Sequence, residues 1–174
     1  MPLSGNVKPF GLSDVKLTST AGTQVDLPSA QTLMFRETVV SGELRGDDSL
    51  QAVVAISEGL EWELSAGGIS PTAYALMTGR TVANAGTTPN QTQTLTAQAE
   101  ASFPYFKIYG KSVGDSGDDV HVKIFKAKLT EPIEGTFENG EFFVTSCKGI
   151  GIDAGSDGVF VVVWNETATT LPVS

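Results

Sequence analysis

Few residues in this chain have the reach to do chemistry. His121 is the only histidine and Cys147 the only cysteine in 174 residues. His121 sits between Val120 and Val122 in an alternating run, with no serine or cysteine nucleophile motif beside it. A nucleophile, base and orienting acid therefore do not assemble around it, and it reads as an outward-facing strand residue. Cys147 has no second thiol, which leaves neither a disulfide framework nor a thiolate metal cluster. It reads as a small buried strand residue. The run Gly149-Ile150-Gly151-Ile152-Asp153-Ala154-Gly155 approaches a dinucleotide fingerprint, but its last spacing is one residue too long and no helix follows. Asp153, Asp157 and Gly158 form part of a calcium-loop pattern that has Gly155 at its third position and lacks the closing glutamate. Asp115, Asp118 and Asp119 make a second small carboxylate group, read as a solvated turn in preference to a weak cation site. Glu61 and Glu63 have the residue types of a glycosidase pair. Two residues apart on one strand, they read instead as an acidic solvent or channel face. Arg45-Gly46-Asp47 spells an adhesion tripeptide at what reads as an ordinary hairpin tip. No catalytic residue, cofactor or metal is assigned, and the chain reads as a non-enzyme.

The elements that carry these residues are mostly strands. With 40% hydrophobic and 18% charged residues, the chain has the composition of one globular domain over 1–174, neither disordered nor membrane-embedded. The stretch Met1–Leu12 reads as a mobile arm and 168–174 as a C-terminal tail. Met1 to Phe10 has no basic segment followed by an apolar core, so no signal peptide is expected. The net charge of −9 argues against adhesion to nucleic acid or an anionic membrane.

Gln31 to Ala66 stands out. Two extended runs flank the turn Arg45-Gly46-Asp47-Asp48-Ser49, whose Gly and Asp residues suit a tight hairpin. Each arm would extend about 45–55 Å at about 3.3 Å per residue, well past the usual strand of about 5–6 residues. The outer part is expected to pair outside its own subunit. Alternation places Val54, Ile56, Leu60, Trp62 and Leu64 on one face and Glu61 and Glu63 on the other. Val122, Phe142, Val144, Val161 and Val163 join the expected core. Ser70-Pro71 opens a short helix that Gly79 closes. Further strands are expected at 105–113, 120–129, 135–137, 141–152 and 159–166, with a bulge or change of face at Ile124-Phe125. The fold class is all-β, a sandwich or barrel with one short flanking helix and a long hairpin.

Several segments stand in a fixed order along the chain: Gln24-Val25-Asp26-Leu27-Pro28, Gly42-Glu43-Leu44-Arg45-Gly46-Asp47-Asp48, Glu58-Gly59-Leu60-Glu61-Trp62-Glu63-Leu64 with Gly67-Gly68-Ile69-Ser70, Pro104-Tyr105-Phe106-Lys107-Ile108-Tyr109-Gly110, and Gly140-Glu141-Phe142. Together they resemble the major tail tube proteins of long-tailed bacteriophages. The resemblance spans roughly 12–170 and consists of strand and turn residues without a catalytic signature. It implies hexameric rings stacked into a hollow tube in the virion tail, assembled in the host cytoplasm with tail-tip and terminator proteins. DNA would pass through without specific binding. A closed wall of about 24 strands spaced about 4.8 Å and tilted about 40° gives a channel of roughly 35–40 Å. On this reading Arg45, Gly46, Asp47, Asp48 and Ser49 form an assembly tip. Glu37, Glu43, Glu61 and Glu63 are candidates to line a channel whose like charge keeps DNA from adhering. A tube subunit of a bacterial contractile injection system shares the same expectations. A carbohydrate-binding module would instead use Trp62, Tyr105, Tyr109 or Trp164 as a stacking platform.

Overall fold

The computed structural model describes residues 7–68, 70–99 and 102–171. In chain order the elements are β1 (Pro9–Ser19), β2 (Gln24–Asp26), β3 (Ala30–Gly46), β4 (Ser49–Gly67), α1 (Pro71–Thr78), β5 (Val82–Ala85), β6 (Thr92–Leu95), β7 (Phe106–Gly114), β8 (Asp119–Leu129), β9 (Glu134–Gly135), β10 (Val144–Gly151) and β11 (Phe160–Asn165). Nine strands form one antiparallel sheet in the order β2-β1-β7-β8-β10-β4-β3, with β11 added to β8 and β9 to β10; β5 and β6 pair separately. The fold is all-β with one short helix among the described residues, as the turn spacing and alternation predict.

The sheet curls so that its far strand meets its near ones. Leu33 of β3 lies 2.4 Å from where a Cβ on Gly110 of β7 would stand, so only glycine admits that approach. Inside the curl, Val15, Leu17, Leu60, Trp62, Leu64, Phe106, Ile108 and Ile124 form the buried core. Trp62 meets Phe106 edge-on at 5.7 Å, the geometry that aligns ring edge with ring face. Gly149 is fixed by the same packing: a Cβ there would stand 2.1 Å from the Lys128 carbonyl oxygen and 2.5 Å from the Trp62 ring.

Helix α1 forms as its punctuation dictates. The Ser70 hydroxyl accepts the Ala73 N–H, Pro71 occupies the first turn, and Gly79 (φ 71°) donates its N–H to the Ala75 carbonyl. Its Ala73, Met77 and Thr78 are buried. In β8 the register with β7 passes from Ile108↔Ile124 to Phe106↔Ala127, so a bulge sits at Phe125-Lys126. There β8 exchanges one partner for another: β11 pairs with its first half and β10 with its second.

The ends differ from expectation. Pro9–Leu12 of the expected arm belong to β1, where Phe10 is exposed, and 1–6 lie outside the described residues. Of the expected tail, Ala168 donates its N–H to the Gly117 carbonyl and Leu171 is buried; 172–174 lie outside the described residues.

Candidate assembly surface

The hairpin β3–β4 has two regimes. Along Leu60–Gly67, β4 lies between β3 and β10 and its inward side chains are core. From Ser57 outward, β4 pairs only with β3, and β3 has no other neighbour in the sheet. The outer ribbon thus presents unpaired backbone along both edges, a template for strands of another chain.

A bulge separates the regimes. Thr38 pairs with Gly59 but Val39 pairs with Ser57, which leaves Glu58 as an extra residue in β4. One inserted residue inverts the facing of everything beyond it. Val54 and Ile56 therefore lie on the face opposite Leu60, Trp62 and Leu64, contrary to the single apolar face predicted. Ile56 is 63% exposed, not core. Directly opposed residues share a face, so one side of the outer ribbon carries Val40, Leu44, Val54 and Ile56 and the other carries Val39, Leu50 and Val53. All seven are at least half exposed. A ribbon apolar on both faces is the exposed surface that marks an interaction site.

At the tip, Asp47 (φ 49°) and Asp48 (φ 57°) form a two-residue turn with both positions in the left-handed region, as a type I′ hairpin requires. The Ser49 hydroxyl donates to the Gly46 carbonyl at 3.0 Å. Arg45 turns back along its own strand, donating through Nε (3.1 Å) and Nη2 (2.9 Å) to one oxygen of Glu43. Among the described residues, Asp47 and Asp48 have no ion-pair partner.

The four candidate channel glutamates are not brought together. Glu61 and Glu63 share the solvent face of the inner hairpin. Glu61 accepts from Arg36 directly opposite it on β3, and Glu63 lies 3.5 Å from Lys148 opposite it on β10. Glu37 and Glu43, of odd number on β3, point to the other side. The Glu61 face also carries Lys126 and Lys128, each 5.0 Å from the centroid of the Tyr105 ring. That face has mixed charge and is not a bare acidic wall. Arg36 and Lys148 escaped the sequence reading because alternation assigns them a side but not a cross-strand partner.

Other corrections concern burial. His121 does not face outward: it is buried with its Nε2 3.0 Å from the Asp119 carboxylate. Asp119 is wholly buried and also accepts from the Asn165 amide (2.6 Å) and the Thr169 N–H (2.7 Å), with Lys111 Nζ at 3.3 Å. Burial would raise the Asp119 carboxyl, yet the Thr169, Asn165 and His121 contacts together hold it below the usual carboxylate range. The network fastens 168–171 onto β8. It also turns Asp119 away from Asp115, which is exposed in the turn. Phe142 is 98% exposed, and Val144 and Val161 are also exposed where core was expected. Val122 and Val163 are half-buried. Cys147 is buried, as predicted, against the Leu64 carbonyl and Met77 sulfur. Burial and then the Glu63 charge push its thiol up to about 12. Trp62 and Tyr109 are buried, which removes them from any stacking platform, whereas Trp164 is exposed.

Among the described residues no group of three or more His, Cys, Asp or Glu could hold a metal ion. No helix there is long and apolar enough to cross a membrane. No protein-family model matches the chain, and no curated protein matches it.

Proposed function

We propose that the chain is a self-assembling structural subunit of the phage tail tube type. Copies join through the outer β3–β4 hairpin into hexameric rings, and the rings stack into a hollow virion tail tube through which DNA passes. The supporting observation is the ribbon from Val39 to Ser57. It bears apolar side chains on both faces, has unpaired backbone on both edges, and pairs with no other strand among the described residues. A monomer gains nothing from such an extension, whereas neighbours that cover both edges gain main-chain pairing and apolar burial together. The resemblance of its strand and turn segments, in order, to those of major tail tube proteins supports the tube form of the assembly.

On this reading the subunit performs no catalysis and needs no cofactor. Tail-tip and terminator proteins are its further partners, and the net charge of −9 keeps DNA from adhering in transit. Negative-stain microscopy of purified protein, with light-scattering mass alongside, tests the proposal. Rings or tubes with a central hole of about 40 Å support it. A protein that stays a monomer at high concentration and with a tail-tip complex present refutes it.

A further inference from the structure

The molecule has a second exposed apolar patch, at the end of β4 remote from the hairpin tip. The turn joining β9 to β10 places Phe137 at 81% and Phe142 at 98% exposure. Phe143 stacks on Phe137 at 4.4 Å, and its carbonyl accepts the Gly68 N–H. The turn is thus anchored beside Gly67, where Val144 of β10 pairs. It presents Phe142 with no intramolecular cover.

The two patches cannot meet within one subunit. Val54 and Gly67 lie on the same strand, about 40 Å apart at about 3.3 Å per residue. We infer that the Phe137–Phe142 turn of one copy packs on the Val40–Leu44–Val54–Ile56 face of the next copy along the strand axis. This is the axial contact of the proposed assembly and rests on that proposal. The hairpin edges are left for lateral neighbours.

Charge and area favour this occupant. Glu138 and Glu141 flank the aromatic turn, and Asp47 and Asp48 occupy the hairpin tip. Like charges keep the turn off the tip and direct it to Ser49–Ser57, which carries no charged residue. The two phenylalanines and the four aliphatic residues offer about 600 Å² of apolar surface between them. With the usual apolar share of about 57% this makes a contact of about 1,000 Å², the size at which a specific interface becomes tenable. The contact joins unlike surfaces, so it propagates head to tail and builds a stack, whereas a two-fold contact would close into a pair.

The test uses two full-length single-cysteine additions, Val54→Cys and Phe142→Cys, in which Cys147 stays buried. After mild oxidation at assembling concentration, disulfide-linked dimers are expected from the mixture and not from either variant alone. Phe142→Ser should leave rings intact and raise the concentration needed for elongation at least tenfold. The inference is overturned if the mixture elongates without cross-linking, or if Phe142→Ser elongates as the wild type does. Wild-type protein that stays a monomer at high concentration and with a tail-tip complex present refutes the assembly proposal itself, and this contact with it. Unchanged thermal melting of both phenylalanine variants would show that they are folded.

Discussion

The double substitution Val39→Thr with Val53→Thr would separate association from stability. Both valines lie on the hairpin face that continues the core side of the sheet, at 55% and 56% exposure. Threonine keeps the β-branched shape that a strand favours and replaces a methyl with a hydroxyl. In the free subunit that exchange occurs in water, so stability should stay within about 0.5 kcal/mol of wild type. In the assembly, covering the exposed half of each valine is worth about 1 kcal/mol. The pair should therefore weaken each contact by about 2 kcal/mol, which raises the critical concentration roughly 30-fold. Sedimentation velocity over a dilution series measures the first quantity, and thermal unfolding of the dilute subunit the second. A critical concentration within threefold of wild type would refute burial of this face. A melting temperature lowered by more than about 4 °C would show that the valines are already packed within the subunit.

Removing the Asp119 carboxylate with Asp119→Ala should cost about 3 kcal/mol, because Lys111 and His121 then remain without their buried acceptor. The melting temperature should fall by roughly 6–12 °C. Because the folded-state pKa of Asp119 is depressed, its contribution is complete above the unfolded carboxyl value of about 3.9 and is lost as pH falls through the folded value. Wild type should lose this share of its stability below about pH 4 in urea titrations at stepped pH, and the variant should lack it. Gly149→Ala should destabilise by about 1–3 kcal/mol, since the new methyl would stand 2.1 Å from the Lys128 carbonyl oxygen; chemical denaturation reads this directly. Cys147, buried with its thiol pushed up to about 12, should resist a thiol reagent at pH 8 and react fully in denaturant.

Where local chemistry decides, the sequence is legible. Ser70, Pro71 and Gly79 bound the helix, the Gly and Asp residues of 45–49 mark the hairpin tip, and the broken alternation at Ile124-Phe125 marks the bulge of β8. Leu60, Trp62 and Leu64 are core because alternation turns them into the curl of the sheet, against Phe106, Ile108 and Ile124. Facing is illegible where an inserted residue reverses it. Glu58 inverts β4, and nothing in Ser57-Glu58-Gly59 beyond the glycine announces it. The burial of His121 is illegible for a different reason: its partner Asp119 is drawn inward by Lys111, Asn165 and Thr169, which are distant in sequence. The exposure of Phe142 is illegible too, because apolar character alone does not show whether a side chain is covered within its own chain.

The central claim is that the ribbon from Val39 to Ser57 is covered by other copies. Hydrogen–deuterium exchange, read by peptide mass in dilute subunit and in purified assemblies, tests it most directly. The account predicts that the outward-pointing amides of both hairpin strands, open in the subunit, slow at least 100-fold on assembly, while the Leu60–Gly67 amides, already paired, change little. Assemblies whose 39–57 amides exchange as fast as those of the free subunit would contradict it.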